Sequence, residues 1–475
     1  VARFDDQKKA ASSAQLLPKL VKNSLFWVIV PFIFYVVHFN TIELLSPMIV
    51  SDTIDIDICV IGTGLAGLSA TLFAADRGLS CVEVGQTGEI NYSSGFLDLL
   101  GVYPAGEKQA WSDPWAGIEA LVRDIPQHPY ARLPKEDIRT AFEEVLTFLE
   151  DAGLPYIRRD NQNIDVLTSI GSLKRTYCVP HTMWHGVESV EKKPACLLID
   201  IQGLKGFSAR QIAAALQGGW PGLRTARITF PGTDHLNEVF TEHMASALIL
   251  PQNREKLALT LRPLLKDVEM VGMPAILGLY RTPEVLADME ERIGMPLFEI
   301  PTIPPSVSGL RLKEAFERGL RTKGVQYLSQ KRVLAVRHSE DASFELDIGR
   351  VEAELTVCAR GVILASGRFI GGGLHADRIR IKETIFDLPV YQPAGRTEWH
   401  RREFLDTRGH LVNRAGVEID DSFRPLNKSG RPAYRTLFAA GSLLAHNDWK
   451  RLKCGAGVAI ASAYGAVKSL MRLLP

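Results

Sequence analysis

The chain carries almost no excess charge of either sign: 55 Lys and Arg stand against 54 Asp and Glu. A protein that tracks a nucleic acid needs a basic face, and this balance offers none, so no nucleic-acid partner is expected. Cysteine is sparse. The six cysteines, at 59, 81, 178, 196, 358 and 454, never form a C-x-x-C, which removes an iron–sulfur or structural zinc site by spacing. His181 and His185 are four apart, but Pro180 and Gly186 spoil a helix there and no third ligand is near. No metal site is expected. Long apolar runs are missing too. Residues 25–39 come closest, uncharged and aromatic, but Pro31 interrupts them and they fall short of the roughly 20 residues a spanning helix needs.

Three readings stand for residues 1–47. A basic arm (Arg3, Lys8, Lys9, Lys19, Lys22) followed by the apolar segment fits a membrane anchor, or a cleaved presequence that lacks a convincing cleavage site. The favoured reading is an over-extended gene model, with Met48 as the natural start just before the first strand. A length of 475 residues implies two or three domains.

What is present is glycine in a particular order. Residues 58–78 read I-C-V-I-G-T-G-L-A-G-L-S-A-T-L-F-A-A-D-R-G. An apolar strand ends in Gly62-x-Gly64-x-x-Gly67 and an alanine-rich helix follows, closing at Gly78. Strand before and helix after is the context that makes this fingerprint informative. Gly62 permits the turn, Gly64 lets a phosphate approach the backbone, and Gly67 lets the helix lie close on the strand. The helix N-terminus offers unpaired N–H groups to the phosphate.

The acid that holds an adenosine ribose should fall at position 85, at the end of the second strand. Position 85 is glycine, and Glu83 stands two residues early. Either Glu83 serves instead, or the ligand has no adenosine ribose, as in FMN; the second reading is slightly favoured. Ser93, Ser94 and Gly95 follow as small donors that could line a ligand or cap a helix.

Farther on, a helix is expected at about 135–152, a strand at 197–200 and helices at 208–216 and 282–293. A proline-rich stretch (300–306) leads to an amphipathic helix at 309–324. Arg311 sits in its first turn, where a cation does not help the helix dipole, which makes it a candidate for a ligand contact or catalytic role. Short alternating strands at 333–338, 343–348 and 352–358 read as an antiparallel meander. An apolar strand then runs from Arg360 to Gly367, before a second glycine-rich turn. Residues 375–433 are loop-rich, with Arg396, Trp399, His400, Arg401 and Arg402 clustered. Finally a strand ends at Gly441-Ser442, and Cys454-Gly455-Ala456-Gly457 opens a small-residue helix.

Together these residues resemble the flavoproteins with two dinucleotide-binding motifs. More narrowly, S-S-G-F-L-D-L-L, M-P-A-I-L-G-L, I-P-T-I-P-P-S-V-S-G-L-R-L, L-A-S-G-R-F-I-G-G-G-L and L-F-A-A-G-S-L-L with C-G-A-G-V resemble the B subunits of the anaerobic glycerol-3-phosphate dehydrogenases, from about residue 54 to the end. The resemblance implies an α/β fold. A Rossmann-like flavin-binding domain, with a parallel sheet plus an antiparallel β-meander, would carry a mixed α/β inserted domain. The flavin domain would comprise 54–100, a return at 196–224, 309–374 and 434–475. Inserts would fall at 101–195 and 225–308, with a loop-rich cap at 375–433.

The resemblance also implies a flavin-dependent oxidoreductase acting as one member of a complex. Glycerol 3-phosphate is oxidised to dihydroxyacetone phosphate on an FAD-bearing catalytic subunit. This chain would carry FMN (FAD being the alternative), and an iron–sulfur subunit docks the complex on the cytoplasmic face of the inner membrane, where electrons reach quinone. Gly62, Gly64 and Gly67 would hold the FMN phosphate, Ser93, Ser94 and Gly95 would line the cofactor, and Gly367, Gly441, Ser442, Gly455 and Gly457 would complete the site. The departures are Arg360 and Arg368 beside L-A-S-G, and the bulky basic loop 447–451. The rival readings are a self-sufficient FAD enzyme of the fumarate-reductase kind and a non-catalytic scaffold protein of the same complex.

Overall fold

The run D-T-I-D-I-D-I-C-V-I changes character half-way, from alternating polar and apolar residues to four apolar ones. It folds accordingly as strand β1 (Asp52–Ile61), exposed at its start and fully buried from Ile58 on. In this computed structural model, which describes residues 52–86, 88–339 and 343–474, β1 lies inside a seven-stranded sheet. The expectations for residues 1–47, the apolar segment 25–39 included, lie outside the described residues.

After β1 the chain turns at Gly62 and enters helix α1 (Leu65–Ala75), every residue of which from Ala66 to Ala74 is buried. A helix apolar all round must be covered all round. The sheet covers one side of α1 and the last helix of the chain packs on another. Burying side chains such as Leu68, Leu72 and Phe73 stabilises the fold by about 1.5–3 kcal/mol each. Strand β2 (Cys81–Gly85) then pairs parallel with β1.

Helix α2 (Lys135–Asp151) begins after Pro134, as expected. It carries Glu136 and Asp137 in its first turn, where they favour the helix dipole. Its buried residues, Ile138, Ala141, Phe142, Val145, Phe148 and Leu149, follow the three-and-four spacing of one face.

A second sheet comes next. Strands β3 (Cys196–Ile201), β4 (Leu223–Ile228), β5 (Met270–Pro274) and β6 (Leu297–Ile300) lie in the order β6-β5-β3-β4, all parallel. This corrects the expectation that 196–224 returns to the flavin-binding sheet: β3 is central in the second sheet, so the inserted α/β unit begins with it. A fully buried parallel strand has the same apolar look in either sheet, and only its partners distinguish the two.

Helix α3 (Val307–Thr322) leads back to the first sheet, where β7 (Gln326–Ser329) joins the free side of β2. The meander follows as β8 (Arg332–His338), β9 (Phe344–Gly349) and β10 (Ala353–Leu364), antiparallel in turn. The sequence suggests a break near Arg360. Instead β10 is one strand of 12 residues. Its first half alternates in burial and pairs with β9; its last four residues are all buried. There it pairs parallel with β11 (Leu437–Ala439), and β1 flanks its other side. Arg360 marks the change of partner, not an end.

The stretch from Leu374 to Val417 holds only short pieces: two-stranded pairs of two or three residues and single 3-10 turns. The chain closes with helix α4 (Gly455–Met471), which packs on α1 and α2. No helix among the described residues is long and apolar enough to cross a membrane. The fold is α/β, with parallel strands, an antiparallel meander and a second α/β layer.

Candidate functional site

The carboxyl ends of β1, β10 and β11 lie side by side, and each ends in small residues. Backbone bonds tie the three ends together, Ala365 N donating to Ile61 O at 2.8 Å and Ala440 N to Leu364 O at 3.0 Å, while Gly62 N donates to Val84 O of β2 at 2.8 Å. In open α/β sheets ligands bind outside these ends.

Gly62 has φ +127°, and a Cβ on it would lie 2.2 Å from Ala365 O, so no other residue fits that turn. A Cβ on Gly67 would lie 1.8 Å from Gly62 O; glycine there is what brings α1 onto the turn. Gly64 differs from both. It is the N-cap of α1, with φ −85° and ψ 178°, an extended conformation open to any residue. A Cβ built on it meets nothing within 4 Å. Neither packing nor backbone strain requires glycine at 64. The open space lies over the first turn of α1, whose N–H groups have no partner inside the helix.

Gly367 and Ser442 lie together beyond the ends of β10 and β11: a Cβ on Gly367 would be 3.7 Å from Ser442 Oγ. Gly441 seats that pair on α1. Its φ is +80°, a Cβ on it would lie 2.6 Å from Ala66 Cβ, and its N–H donates to Ser462 Oγ at 2.8 Å. Thus Gly62, Gly64, Gly67 and Gly441 gather around the start of α1, and Gly367 and Ser442 pair beyond the neighbouring strand ends. The open backbone at Gly64 beside the first-turn N–H groups could admit a phosphate.

Ser93, Ser94 and Gly95 belong to a segment that meets the loop earlier, at Gly88, where a Cβ would lie 2.5 Å from Thr63 O. The segment then packs on the start of α3. Ser306 Oγ donates to Ser93 O at 2.5 Å, and Gly95, itself bound by Tyr156 through its carbonyl at 2.7 Å, abuts Ser308. Ser93 Oγ accepts from Gly95 N at 3.1 Å.

Gly455 and Gly457 have a packing role that the sequence did not show. A Cβ on Gly455 would strike the Trp449 ring at 2.9 Å, and one on Gly457 would strike Tyr130 Oη at 2.0 Å. The Gly457 N–H already donates to Asp98 O at 2.7 Å. Close packing against residues 98–130 and 449 accounts for both glycines. Arg311 has a structural role too. It is 2% exposed, and its guanidinium is committed to Glu299 at 2.5 and 2.9 Å and to Gly278 O at 2.7 Å. It ties α3 to the second sheet, with its charge neutralised by Glu299.

Glu83 does not stand in for the missing acid. It is wholly buried under α1, close to where a Cβ on Gly67 would sit. Burial raises its pKa well above the ordinary value, and the charge of Glu317 acts the same way, against Thr71 and Tyr327. Gly85 leaves no room for an acid either: a Cβ there would press on Thr63 Cγ2 at 2.9 Å.

Arg368 is the residue whose role the sequence hid. It follows Gly367, is 9% exposed, and its guanidinium binds the carbonyls of Ser442, Asn413, Leu444 and Asn447. An arginine after a strand-ending glycine reads as solvent-facing; only the fold brings four carbonyls to it. His185 sits between Glu188 and Glu290. No cluster suited to a metal occurs among the described residues.

A family model described as an FAD binding domain matches residues 57–458. The B subunit of the anaerobic glycerol-3-phosphate dehydrogenase of Pectobacterium carotovorum subsp. carotovorum (strain PC1) is 30% identical over 423 residues, 88% of this chain and 98% of that protein. The protein of the same name from Yersinia pestis is 30% identical over 418 residues, 86% of this chain and 96% of that one. Among solved structures, 3-ketosteroid delta1-dehydrogenase from Sterolibacterium denitrificans aligns over 88% of this chain and 100% of its own, at 13% identity and a TM-score of 0.39, too loose a likeness to argue from.

Proposed function

This chain belongs to the FAD binding domain family and, within it, to the family of anaerobic glycerol-3-phosphate dehydrogenase B subunits. From that premise we propose that it is the FMN-binding, electron-transferring member of a glycerol-3-phosphate:quinone oxidoreductase. The complex turns glycerol 3-phosphate into dihydroxyacetone phosphate. Its other members on this reading are an FAD-bearing catalytic subunit and an iron–sulfur subunit that docks it on the cytoplasmic face of the membrane, with quinone as the final acceptor.

One observation carries the reading of this chain: Gly64 opens onto a cradle at the N-terminus of α1 while the second strand offers no acid for an adenosine ribose. Gly85 abuts Thr63 and Glu83 is buried. Gly64 and the first-turn N–H groups of α1 would hold the phosphate, Gly62 and Gly67 would shape the turn that presents them, and Gly367, Gly441 and Ser442 would close the far wall. Ser93, Ser94 and Gly95 would border the cofactor from the α3 side. When bound, the flavin supplies the capacity to take electrons in pairs and release them singly. The protein's part is to hold it, orient it and keep water from it, and no side-chain acid or base is assigned.

FAD is the second reading, favoured by the family model, which is described by that cofactor. Acid release of the flavin from the purified chain, followed by mass spectrometry, separates the two. One FMN per chain is expected. FAD would overturn the mononucleotide reading, and a chain purified gently without flavin would favour the scaffold reading.

A further inference from the structure

Two arginines among the described residues are almost wholly out of water, and they are neutralised differently. Arg311 lies on the Glu299 carboxylate. Arg368 has no carboxylate among its hydrogen-bond partners. Its Nε donates to Ser442 O at 2.5 Å, Nη2 to Leu444 O at 3.0 Å and to Asn447 O at 2.9 Å, and Nη1 to Asn413 O. Four of its five N–H donors are spent on neutral carbonyls. Burial pushes its pKa down to about 10, so the group keeps its charge at neutral pH.

The acidic groups near it, Asp448 and Glu89, offset that charge only from a distance and without a hydrogen bond to it. Asp448 is shared with Arg451 at 3.8 Å and Asn413 at 3.4 Å. Glu89 has its pKa raised by burial, and burial holds the Cys454 thiol well above its ordinary range. A positive charge in a low-dielectric interior acts over a longer reach than the same charge in water. This one is anchored on the carbonyl of Ser442 and follows Gly367 in the chain, the two residues that close the far wall of the site on the reading above.

We propose that Arg368 is a positioning residue that both pins the Gly441–Asn447 turn and sets a fixed positive charge beside the cofactor, raising the reduction potential of the flavin. The proposal rests on the flavin-site reading above. Each electron added to the ring without a proton leaves one negative charge there, and a nearby cation stabilises that state relative to the oxidised one.

The test is a mediated redox titration of the full chain with its flavin bound, alongside its flavin content. Arg368→Gln should shift the flavin equilibrium toward the oxidised form by about tenfold, or about 30 mV for a two-electron couple. Arg368→Lys, which keeps the charge and loses most of the carbonyl contacts, should stay within about threefold of the parent while unfolding at a lower temperature. Asp448→Asn gives a second measurement that leaves Arg368 in place, and it should shift the equilibrium toward the reduced form. A parental potential in the Gln variant, an equal fall in the Gln and Lys variants, or no response to Asp448→Asn would each overturn the charge assignment. Failure of the flavin-site reading looks different: the parent chain would bind no flavin at all.

Discussion

The Arg311 guanidinium lies against the Glu299 carboxylate in bidentate fashion, with both side chains at 1% exposure or less. Glu299 accepts two further bonds, from Thr182 Oγ1 and Leu277 N, both at 2.6 Å. The pair bolts α3 to β6 and to the loop that follows β5. Its partners are satisfied on both sides, so its loss is asymmetric: removing one member strands a buried charge. Arg311→Ala or Glu299→Ala should cost about 3–5 kcal/mol of stability, and the joint replacement Arg311→Met with Glu299→Leu much less than the sum. Urea unfolding of the three variants checks this. Flavin content per folded chain should not change, because the Arg311 charge is already neutralised by Glu299 within the second sheet's contact with α3.

Glu83 makes a prediction with a sign. Its folded pKa is raised above the ordinary 4.5, so the folded state holds a proton that the unfolded chain releases earlier. Stability from this group is full below about pH 4.5 and falls as pH climbs toward the raised folded value. Glu83→Gln, which mimics the protonated form, should flatten that decline and leave flavin affinity unchanged. A large loss of flavin affinity in this variant would instead make Glu83 a ligand contact.

His128 works in the opposite direction. It is wholly buried, its Nδ1 accepts from Tyr130 N at 3.2 Å, and burial pushes its pKa from 6.5 down to about 3. The folded protein keeps it neutral while the unfolded chain protonates it below about pH 6.5. Stability should therefore be lost on acidification between about pH 6.5 and pH 3, where Glu83 contributes no loss. Thermal unfolding across this range should show the slope in the parent and a shallower one in His128→Gln.

The parts of the fold set by local chemistry were legible. The glycine loop needs its strand before and helix after, and both are there. The helix Thr282–Ile293 has the bounds its pattern predicts, because Pro283 opens it and Gly294 closes it in the left-handed region at φ +75°. The antiparallel meander showed in its alternation.

What failed depended on distant partners. Strand β3 looks alike whether it joins the first sheet or the second. Arg311 reads as a first-turn cation available to a ligand until β6 brings Glu299 beside it. Gly455 and Gly457 read as a second ligand-facing loop, and nothing local says that Trp449 and Tyr130 need the room. Arg368 gathers carbonyls from positions 413 to 447, a convergence no local pattern carries.

The three glycines of the loop separate a packing role from a ligand role. Gly67→Ala forces a Cβ against Gly62 O and should destabilise the chain by about 3 kcal/mol or more with or without flavin. Gly64→Val places its side chain in open space on an extended backbone, so only a ligand can object to it. The decisive measurement is the flavin content of purified Gly64→Val beside the thermal stability of its flavin-free form. We expect flavin lost, with affinity down at least about a hundredfold, while flavin-free stability stays within about 1 kcal/mol of the parent, the scale of an N-cap change. A Gly64→Val chain that keeps one flavin per protein would contradict the placement of the cofactor's phosphate at this loop.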